Sequence, residues 1–215
     1  MKVSSKGLRS ITVPAGFLVL LIALTTSPAR AGKYNRVLSL GDQGPVFNDL
    51  PGTDDKTYSL TDFDDAKAVV IMFTCNTCPY AVDAEKTLIK LAKSYQPKGV
   101  QLVAINVNLV DEDRLPAMKQ RAAALKLPYP YLWDQSQQIA KDYGAIYTPE
   151  CYVLDAQRKV VYMGAITGKL PGQTKSLPFL SQAIDAVLAG EKLEHQETPP
   201  IGCRIRLQRQ RRPRK

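Results

Sequence analysis

Short apolar runs separated by amphipathic stretches occupy the middle of the chain. Residues 68–73 form a continuous apolar run rich in β-branched side chains, and residues 100–107 form a second. Runs of this length and composition are typical of buried strands in a parallel or mixed sheet. Shorter runs at residues 131–133, 151–154 and 159–165 predict three further strands, the last two paired as a hairpin.

Between these strands, apolar positions recur with the spacing of one helix face. The pattern predicts helices over residues 78–94, 114–126, 136–143 and 177–188. Ser136 is the predicted N-cap of the third helix, and Gly144 is predicted to end it. Residues 34–65, in which Gly and Pro are frequent, predict a short β-hairpin and a helical turn near residue 62. Strands that alternate with helices in this way predict an α/β domain, with a central mixed sheet and helices on both faces.

The first 31 residues have the composition of an export signal. Three basic residues lie within the first nine, an apolar stretch covers residues 15–24, and Ala29-Arg30-Ala31 has the small-residue pattern of a cleavage site. The apolar stretch is shorter than the ~20 residues of a usual membrane-spanning helix. We therefore predict a signal peptide over residues 1–31, cleavage near Ala31 and a periplasmic or other extracytoplasmic location. An uncleaved N-terminal anchor is the alternative.

The positive net charge of the chain comes from its two ends. The net charge is +9, but residues 1–31 hold four basic and no acidic side chains, and residues 204–215 hold seven basic and no acidic ones. The remaining 18 Lys and Arg face 20 Asp and Glu, so the domain predicted over residues 32–203 is nearly neutral. This balance argues against a nucleic-acid partner. We predict that the basic tail, residues 204–215, is disordered; contact with an anionic membrane surface is an alternative.

The main chemical signal is the segment Cys75-Asn76-Thr77-Cys78-Pro79, which lies between the first long strand and the first helix. A helix N-terminus stabilises a thiolate, and we expect Cys75 at such a position. Cys78 lies three residues further on, within reach of a disulfide. Because so small a loop restrains the unfolded chain little, a Cys75–Cys78 disulfide indicates redox chemistry rather than stabilisation.

Two other interpretations of this cysteine pair remain open. The pair could form a structural disulfide, or it could bind a metal ion. Zinc would need two more thiol or imidazole ligands near the pair, and His195 is the only histidine of the chain. Neither a metal nor a cofactor is therefore predicted.

Four further residues are candidates for the same site. Thr148-Pro149 comes directly before a predicted strand, where proline removes no hydrogen bond from the sheet. A cis bond there would turn the preceding backbone outwards, towards a docked molecule. Cys151 lies on that strand and is either an inert buried thiol or a third redox partner. Cys203 is either a structural thiol or one that resolves or regulates Cys75.

Together these features resemble the thioredoxin fold, in which a strand, Cys-x-x-Cys-Pro and a helix are followed by Thr-Pro at a hairpin, here 70 residues after Cys78. The closest resemblance is to the peroxiredoxin-like (AhpC/TSA-type redoxin) group that carries a Cys-x-x-Cys motif. The matching segments lie at residues 73–80, 128–134, 140–145, 148–150 and 200–203. The similarity extends over roughly residues 41–207.

This resemblance implies roles for individual residues. Cys75 would be the attacking thiolate and Cys78 the resolving thiol. Pro149 would shape the surface on which substrates dock, and Thr148 and Glu150 would flank it through backbone contacts. The group commonly has His where this chain has Thr77, and without a cationic neighbour the pair should be milder or more reducing. The Pro-x-x-x-Thr-x-x-Cys motif of true peroxiredoxins is absent, which argues against an efficient peroxidase.

We therefore predict an exported thiol–disulfide oxidoreductase that exchanges disulfides with protein substrates through Cys75 and Cys78. Its partners would be proteins with a disulfide or a dithiol, together with a redox partner that the sequence does not identify. One alternative is a thiol peroxidase, a peroxiredoxin-like antioxidant, resolved by Cys203. The other is a non-catalytic protein that uses the same fold to bind a metal or a partner.

Overall fold

The computed structural model describes residues 32–208. In chain order, the strands are β1 (Leu50–Pro51), β2 (Thr57–Tyr58), β3 (Ala68–Phe73), β4 (Val100–Asn106), β5 (Tyr131–Trp133), β6 (Tyr147–Thr148), β7 (Glu150–Leu154), β8 (Val160–Gly164) and β9 (Cys203–Arg204). The helices are α1 (Pro79–Tyr95), α2 (Leu115–Leu125), α3 (Gln138–Tyr143) and α4 (Phe179–Ala189). Single 3-10 turns lie at Leu60–Phe63, Gln96–Lys98 and Asp111–Asp113. The predicted signal peptide, residues 1–31, and the end of the basic tail, residues 209–215, lie outside the described residues.

Five strands form the central sheet, in the order β5-β4-β3-β7-β8. Strands β3, β4 and β5 are parallel, and β7 and β8 join them antiparallel. The register sets Phe73, the last residue of β3, opposite both Ile105 and Glu150. The carboxyl ends of β3 and β4 and the start of β7 therefore share one edge of the sheet. The predicted strands and the mixed sheet are confirmed.

Two apolar cores lie on the two faces of β3, whose six residues are all buried. Val70 and Met72 face one core, which includes side chains of α1, α2 and α4. Val69, Ile71 and Phe73 face the other core, which includes side chains of α3. Alternate residues of a strand point to opposite faces, so a strand that is apolar at every position requires cover on both sides. Helices supply that cover on both faces, as predicted.

Helix α3 begins two residues later than the sequence pattern predicts. Gln137, with φ +60, is the residue before the helix, so Ser136 is not the N-cap. The carboxylate of Asp134 instead accepts the N–H groups of Ser136 and Ile139, both at 2.9 Å. A short carboxylate side chain can satisfy the free N–H groups of a first turn as well as serine can. Gly144 ends the helix with φ +66, as predicted.

The folded domain extends beyond Cys203, the last residue that the sequence assigned to it. Ile205 is buried at 6% exposure, and its N–H donates to the carbonyl of Ile146 at 2.9 Å. The N–H of Gln208 donates to the side chain of Gln137 at 2.7 Å. Residues 204–208 are therefore part of the packed structure, which corrects this part of the predicted tail. In residues 32–208 no helix is both long enough and apolar enough to span a membrane.

Candidate redox site

The Cys-x-x-Cys segment lies at the carboxyl end of β3, the central strand of the sheet. Helix α1 begins at Pro79, and Cys78 is its N-cap residue. Proline suits the first helical position because its φ is already helical and its missing N–H would have no partner there. The expectation that Cys75 lies at the helix N-terminus is therefore wrong, and Cys78 occupies that position. The residue before Cys75 still belongs to the sheet edge, since the Thr74 N–H donates to Ile105 at 3.0 Å.

Cys75 is nearly enclosed, with 3% of the residue exposed. Its Sγ lies 3.4 Å from Oγ1 of Thr148 and 3.8 Å from Oγ1 of Thr77. Burial raises the pKa of the Cys75 thiol above its ordinary value of 9.0, and the negative charge of Asp113 raises it further. Hydrogen bonds from Thr148, from the Cys78 backbone and from Thr77 favour the thiolate without outweighing burial. The resting Cys75 is therefore mainly a protonated thiol at neutral pH.

Cys78 is 2% exposed and lies between the start of helix α1 and strand β9. Its protonated thiol can donate to the carbonyl of Thr148 at 3.0 Å. Burial also favours the protonated form, but hydrogen bonds from the Cys203 side chain, the Ala81 N–H and the Thr148 side chain outweigh it and lower the pKa of Cys78. The reciprocal hydrogen bond with Cys78 raises the pKa of Cys203 to about 11. Of these two thiols, Cys78 is the one that loses its proton first.

A buried carboxylate holds the segment between the two cysteines. Asp113, at 0% exposure, accepts hydrogen bonds from the backbone N–H of Asn76 at 2.6 Å and from the hydroxyl of Thr77 at 2.7 Å. The side chain of Asn108 donates a third at 3.0 Å. Local sequence does not mark Asp113 as a site residue, because it lies in the acidic segment 111–113 and resembles part of a surface turn. The parallel pairing of β3 and β4 is the signal that points to it, because residues after both strands then meet at one edge.

A buried polar network extends from this carboxylate into the sheet. The side chain of Asn106 donates to the backbone carbonyl of Asp113 at 3.0 Å and to the hydroxyl of Tyr131 at 3.1 Å. The Tyr131 hydroxyl in turn donates to the side-chain oxygen of Asn76 at 3.0 Å. Burial raises the pKa of Tyr131 well above 10, so the phenol keeps the proton that this bond requires. The network therefore holds the turn between the two cysteines in place from the side of the sheet.

The segment Thr148-Pro149-Glu150 lies opposite the cysteines, and its Thr148–Pro149 peptide bond is cis. Both the hydroxyl and the carbonyl of Thr148 contact the dithiol, whereas Pro149 lines a neighbouring groove. The Glu150 side chain instead points into the protein at 4% exposure. Its carboxylate accepts the N–H groups of Ile146 and Tyr147 at 2.9 and 3.0 Å and the Tyr152 hydroxyl at 2.9 Å. Glu150 therefore shapes the loop from inside and adds no side chain to the predicted docking surface.

The remaining candidates from the sequence have different surroundings. Cys151, on β7, is completely buried in the apolar core, where burial raises its pKa far above the ordinary value. This environment is that of an unreactive structural thiol. The ring centroids of His195 and Phe179 lie 6.0 Å apart, and Nε2 of His195 lies 3.7 Å from a carboxylate oxygen of Glu194. Among residues 32–208, no group of three or more His, Cys, Asp or Glu side chains is arranged to hold a metal ion.

An open cleft of about 920 Å³ leads to the dithiol. The cysteines Cys75, Cys78 and Cys203 lie along it, together with Leu109, Val110, Arg204, Arg206 and Gln208. Val110 is 45% exposed, and both arginines are exposed. The cleft therefore offers apolar contact at Leu109 and Val110, next to the exposed carboxylate of Glu112, and positive charge at Arg204 and Arg206.

The AhpC/TSA family model matches residues 40–163 of the chain. The solved structure of an uncharacterized conserved protein from Geobacillus kaustophilus is 37% identical, covers 81% of this chain and 95% of that one, and has a TM-score of 0.74. A hypothetical protein from Sinorhizobium meliloti 1021 is 34% identical, with coverage of 80% and 96% and a TM-score of 0.73.

A curated protein is also similar. Thiol-disulfide oxidoreductase ResA of Bacillus thuringiensis subsp. konkukian is 28% identical over 126 residues, which are 58% of this chain and 68% of that protein. Solved thioredoxin-fold structures of lower identity share the architecture, which confirms the predicted thioredoxin fold. The family match confirms the predicted resemblance to the AhpC/TSA-type redoxins.

Proposed function

The chain belongs to the AhpC/TSA family and is a thiol–disulfide oxidoreductase, and we propose that it reduces disulfides of protein substrates outside the cytoplasm. One observation supports this proposal: both thiols of the Cys-x-x-Cys motif contact the same residue of the opposite loop, Thr148. Cys75 contacts the hydroxyl of Thr148, and Cys78 contacts its carbonyl. Two thiols held at one point can join and separate without a large movement of the backbone.

The proposed reaction has two exchange steps. In the first, the Cys75 thiolate attacks one sulfur of a substrate disulfide, a mixed disulfide forms, and the other substrate sulfur leaves as a thiolate. In the second, the Cys78 thiolate attacks Cys75, the internal disulfide forms, and the first substrate sulfur leaves. Two electrons pass from the dithiol to the substrate, whose thiolates take up the two protons. A reducing partner then restores the Cys75–Cys78 dithiol.

The proposed direction of electron flow follows from the environment of Cys75. A dithiol becomes a strong oxidant when its reduced form is stabilised, usually by a low-pKa thiolate. Burial and the charge of Asp113 act against such a thiolate at Cys75, the attacking thiol, whereas hydrogen bonds lower the pKa only of the resolving thiol Cys78. Thr77, where the group commonly has histidine, provides no cation to restore it. We therefore assign the pair to the reducing end of the range.

The substrate class is proposed from the shape and lining of the cleft. Its volume of about 920 Å³ and its apolar side at Leu109 and Val110 suit a polypeptide segment rather than a small thiol. Thr148 and Pro149 would contact the substrate beside the dithiol, and Glu150 would hold their loop in place. The proposed extracytoplasmic location rests on the signal-like composition of residues 1–31, where a basic start precedes an apolar stretch and an Ala-x-Ala site.

An equilibrium redox titration of the full chain in glutathione and dithiothreitol buffers tests this proposal. Free thiols are trapped by alkylation and each cysteine is identified by mass spectrometry. We expect a reversible Cys75–Cys78 disulfide near the reducing end of the ~−270 to −120 mV range of known oxidoreductases. A pair that forms no bond, or a bond that resists reduction in every buffer, would contradict the exchange mechanism.

A turnover assay supplies the matched variants. With dithiothreitol as electron donor and insulin as the disulfide substrate, Cys75→Ser and Cys78→Ser should both lose the activity. Cys151→Ala is the control, because this thiol is enclosed in the apolar core. Equal loss of activity in all three variants would indicate a folding defect and leave the assignment of the dithiol unsupported.

A thiol peroxidase is the second candidate, favoured by the contact between Cys203 and the dithiol. Such an enzyme would consume hydrogen peroxide, and Cys203→Ser would abolish turnover while leaving insulin reduction intact. No peroxide consumption above that of free dithiothreitol is the result expected under the main proposal.

A further inference from the structure

The C-terminal strand places a third cysteine beside the dithiol. Strand β9 pairs antiparallel with β6, and the register sets Cys203 opposite Thr148. The carbonyl of Thr148 is also the group that accepts the hydrogen bond of Cys78. Cys203 is half-buried and packs against the cluster formed by Cys75, Cys78 and Ala81. Three of the four cysteines of the chain therefore meet at one residue, Thr148.

Glycine at position 202 allows this strand to approach unusually closely. A Cβ atom on Gly202 would lie 2.0 Å from the carbonyl oxygen of Thr148, so a larger residue cannot take this place without moving the strand. On the other side of Cys203, the buried Ile205 donates its N–H to the carbonyl of Ile146 at 2.9 Å. Cys203 is thus held over the dithiol from both sides and is not part of a free tail.

From this geometry we infer that Cys203 is a third redox thiol. It replaces Cys75 as the disulfide partner of Cys78. The inference rests on the proposed function. In the exchange, the Cys203 thiolate attacks Sγ of Cys78 within the Cys75–Cys78 disulfide. The Cys78–Cys203 bond forms, the Cys75–Cys78 bond breaks, and Cys75 leaves as a thiolate that takes up the proton lost by Cys203. No electrons enter or leave, so the chain stays oxidised by two electrons.

Burial and the charge of Asp113 raise the pKa of Cys75 and make it a costly leaving group, and the Thr148 hydroxyl offsets part of that cost. Oγ1 of Thr148 lies 3.4 Å from the Cys75 sulfur, and Oγ1 of Thr77 lies 3.8 Å from it. The Thr148 hydroxyl can donate to a departing thiolate, whereas the Thr77 hydroxyl donates to Asp113 at 2.7 Å. The β6–β9 register, in turn, selects Cys78 as the partner of Cys203, because both contact the backbone of Thr148.

The exchange would give the oxidised chain a second activity. With the disulfide moved to Cys78 and Cys203, the chain carries a free Cys75 thiol on the cleft. This thiol can attack a substrate disulfide before any reductant has acted. An exchange of this kind would let the oxidised protein rearrange substrate disulfides, as distinct from reducing them.

The variant Cys75→Ser isolates the inferred bond. The full chain is incubated with oxidised glutathione, which takes up the two electrons and two protons of the thiols, and is then alkylated and digested with trypsin. Cys78 lies on the tryptic peptide 68–86 and Cys203 on the peptide 193–204, so the bond appears as a linked pair. We expect the linked pair to be the main product. Separate alkylated or glutathionylated peptides would overturn the inference.

A second variant tests the geometry with all cysteines present. Gly202→Ala should displace β9 and reduce the Cys78–Cys203 product of the wild-type chain at least about tenfold, the ratio that corresponds to ~1.4 kcal/mol. Gly172→Ala is the control, because a Cβ there meets no atom within 4 Å, although its φ of +79 also disfavours alanine. An unchanged yield in Gly202→Ala would contradict the inferred role of the strand.

Cys203→Ser separates this inference from the proposed function. If this variant keeps a reversible Cys75–Cys78 disulfide and reduces insulin while Cys75→Ser forms no linked pair, the inference alone fails. If the Cys75–Cys78 disulfide is itself absent, the proposed function fails. If Cys203→Ser loses the rearrangement of a scrambled substrate by a much larger factor than it loses insulin reduction, the inferred exchange is supported, and equal losses contradict it.

Discussion

Two loops meet at the dithiol, and each is held by a buried carboxylate. The cysteine loop, residues 74–78, is held by Asp113 at 0% exposure, and the proline loop, residues 145–149, is held by Glu150 at 4%. Each carboxylate accepts two hydrogen bonds from its own loop. Asp113 accepts two more from the side chains of Asn108 and Asn106, and Glu150 accepts one more from Tyr152. As supports for the backbone, the two residues are nearly equivalent.

They differ in where their charge acts. Asp113 raises the pKa of the Cys75 thiol, whereas the charge of Glu150 raises the pKa values of Cys151 and Tyr152, which lie in the core. A buried carboxylate therefore positions each loop, but only that of Asp113 changes the pKa of a cysteine of the dithiol. Beside burial, which is the larger cause, the carboxylate that holds the cysteine loop therefore also raises the pKa of Cys75.

Removing either carboxylate should cost stability, and this is the largest effect we expect. Asp113→Ala leaves the N–H of the half-buried Asn76 without a partner, whereas water can replace the acceptor of the exposed Thr77 hydroxyl. A polar group left unpaired and shielded from water costs about 1–3 kcal/mol, so we expect a loss of about 2 kcal/mol in the free energy of unfolding, measured with urea, and a loss at least as large for Glu150→Ala. Glu112→Ala, on the same turn but exposed, is the control and should stay within about 0.5 kcal/mol of wild type. A loss below about 1 kcal/mol for Asp113→Ala would show that this support is dispensable.

Neutral substitutions should separate the two carboxylates. Asp113→Asn keeps an oxygen towards the cysteine loop but removes the charge, so the pKa of Cys75 should fall and its alkylation at pH 8 should accelerate. The reduced form gains stability, so the pair should become more oxidising. Glu150→Gln, the matched change on the other loop, should leave Cys75 alkylation unchanged. Peptide-resolved alkylation rates measured between pH 6 and pH 10 check both predictions. Equal changes in the Cys75 alkylation rate of the two variants would contradict the inference that only Asp113 changes the pKa of Cys75.

The sequence predicts the parts of this arrangement that depend on local pattern. Strand β3 is recognisable because it is apolar at every position, and the dithiol because its two cysteines are three residues apart. Asp113 is different: it lies at the end of an acidic segment, and only the pairing of β3 with β4 buries it against Asn76. Its burial is a property of tertiary register, which composition does not contain.

The same limit applies to the side-chain contacts of two other residues at the site. Glu150 lies beside Pro149 in sequence, but its position at the start of a buried strand turns its side chain inward. Cys203 lies 55 residues after Thr148, and only the β6–β9 pairing brings them together. Sequence resemblance identified both residues as candidates, and the structure determines what each side chain contacts.

The pH dependence of stability gives a smaller test of the proline loop. Burial raises the pKa of Glu150 above its ordinary 4.5 in the folded protein. The folded state therefore holds this proton more tightly than the unfolded state, so the stabilisation is complete below pH 4.5 and is lost as pH rises through the folded pKa. Relative to Glu150→Gln, the wild-type free energy of unfolding should fall over this range. A difference between the two proteins that does not change with pH would contradict a raised pKa.

The smallest expected effect compares the hydroxyl groups that the two loops direct at Cys75. Each hydroxyl has a single proton, and that of Thr77 is donated to Asp113 at 2.7 Å. The hydroxyl of Thr148, 3.4 Å from the sulfur, remains able to donate to a Cys75 thiolate. Thr148→Val should therefore slow Cys75 alkylation at pH 8 roughly fivefold, which corresponds to the ~1 kcal/mol of one hydrogen bond.

Thr77→Val is the matched variant on the cysteine loop. It should reduce stability by about 1 kcal/mol through its lost bond to Asp113, while changing the alkylation rate less than Thr148→Val does. If Thr77→Val slowed alkylation more than Thr148→Val does, the Thr77 hydroxyl of the wild-type chain would have to donate its proton to the Cys75 sulfur. Asp113 would then be bonded to the cysteine loop through Asn76 alone. The support of the cysteine loop and the adjustment of its thiol would then compete for one proton, and the two functions that we assign to Asp113 could not both hold in the thiolate state.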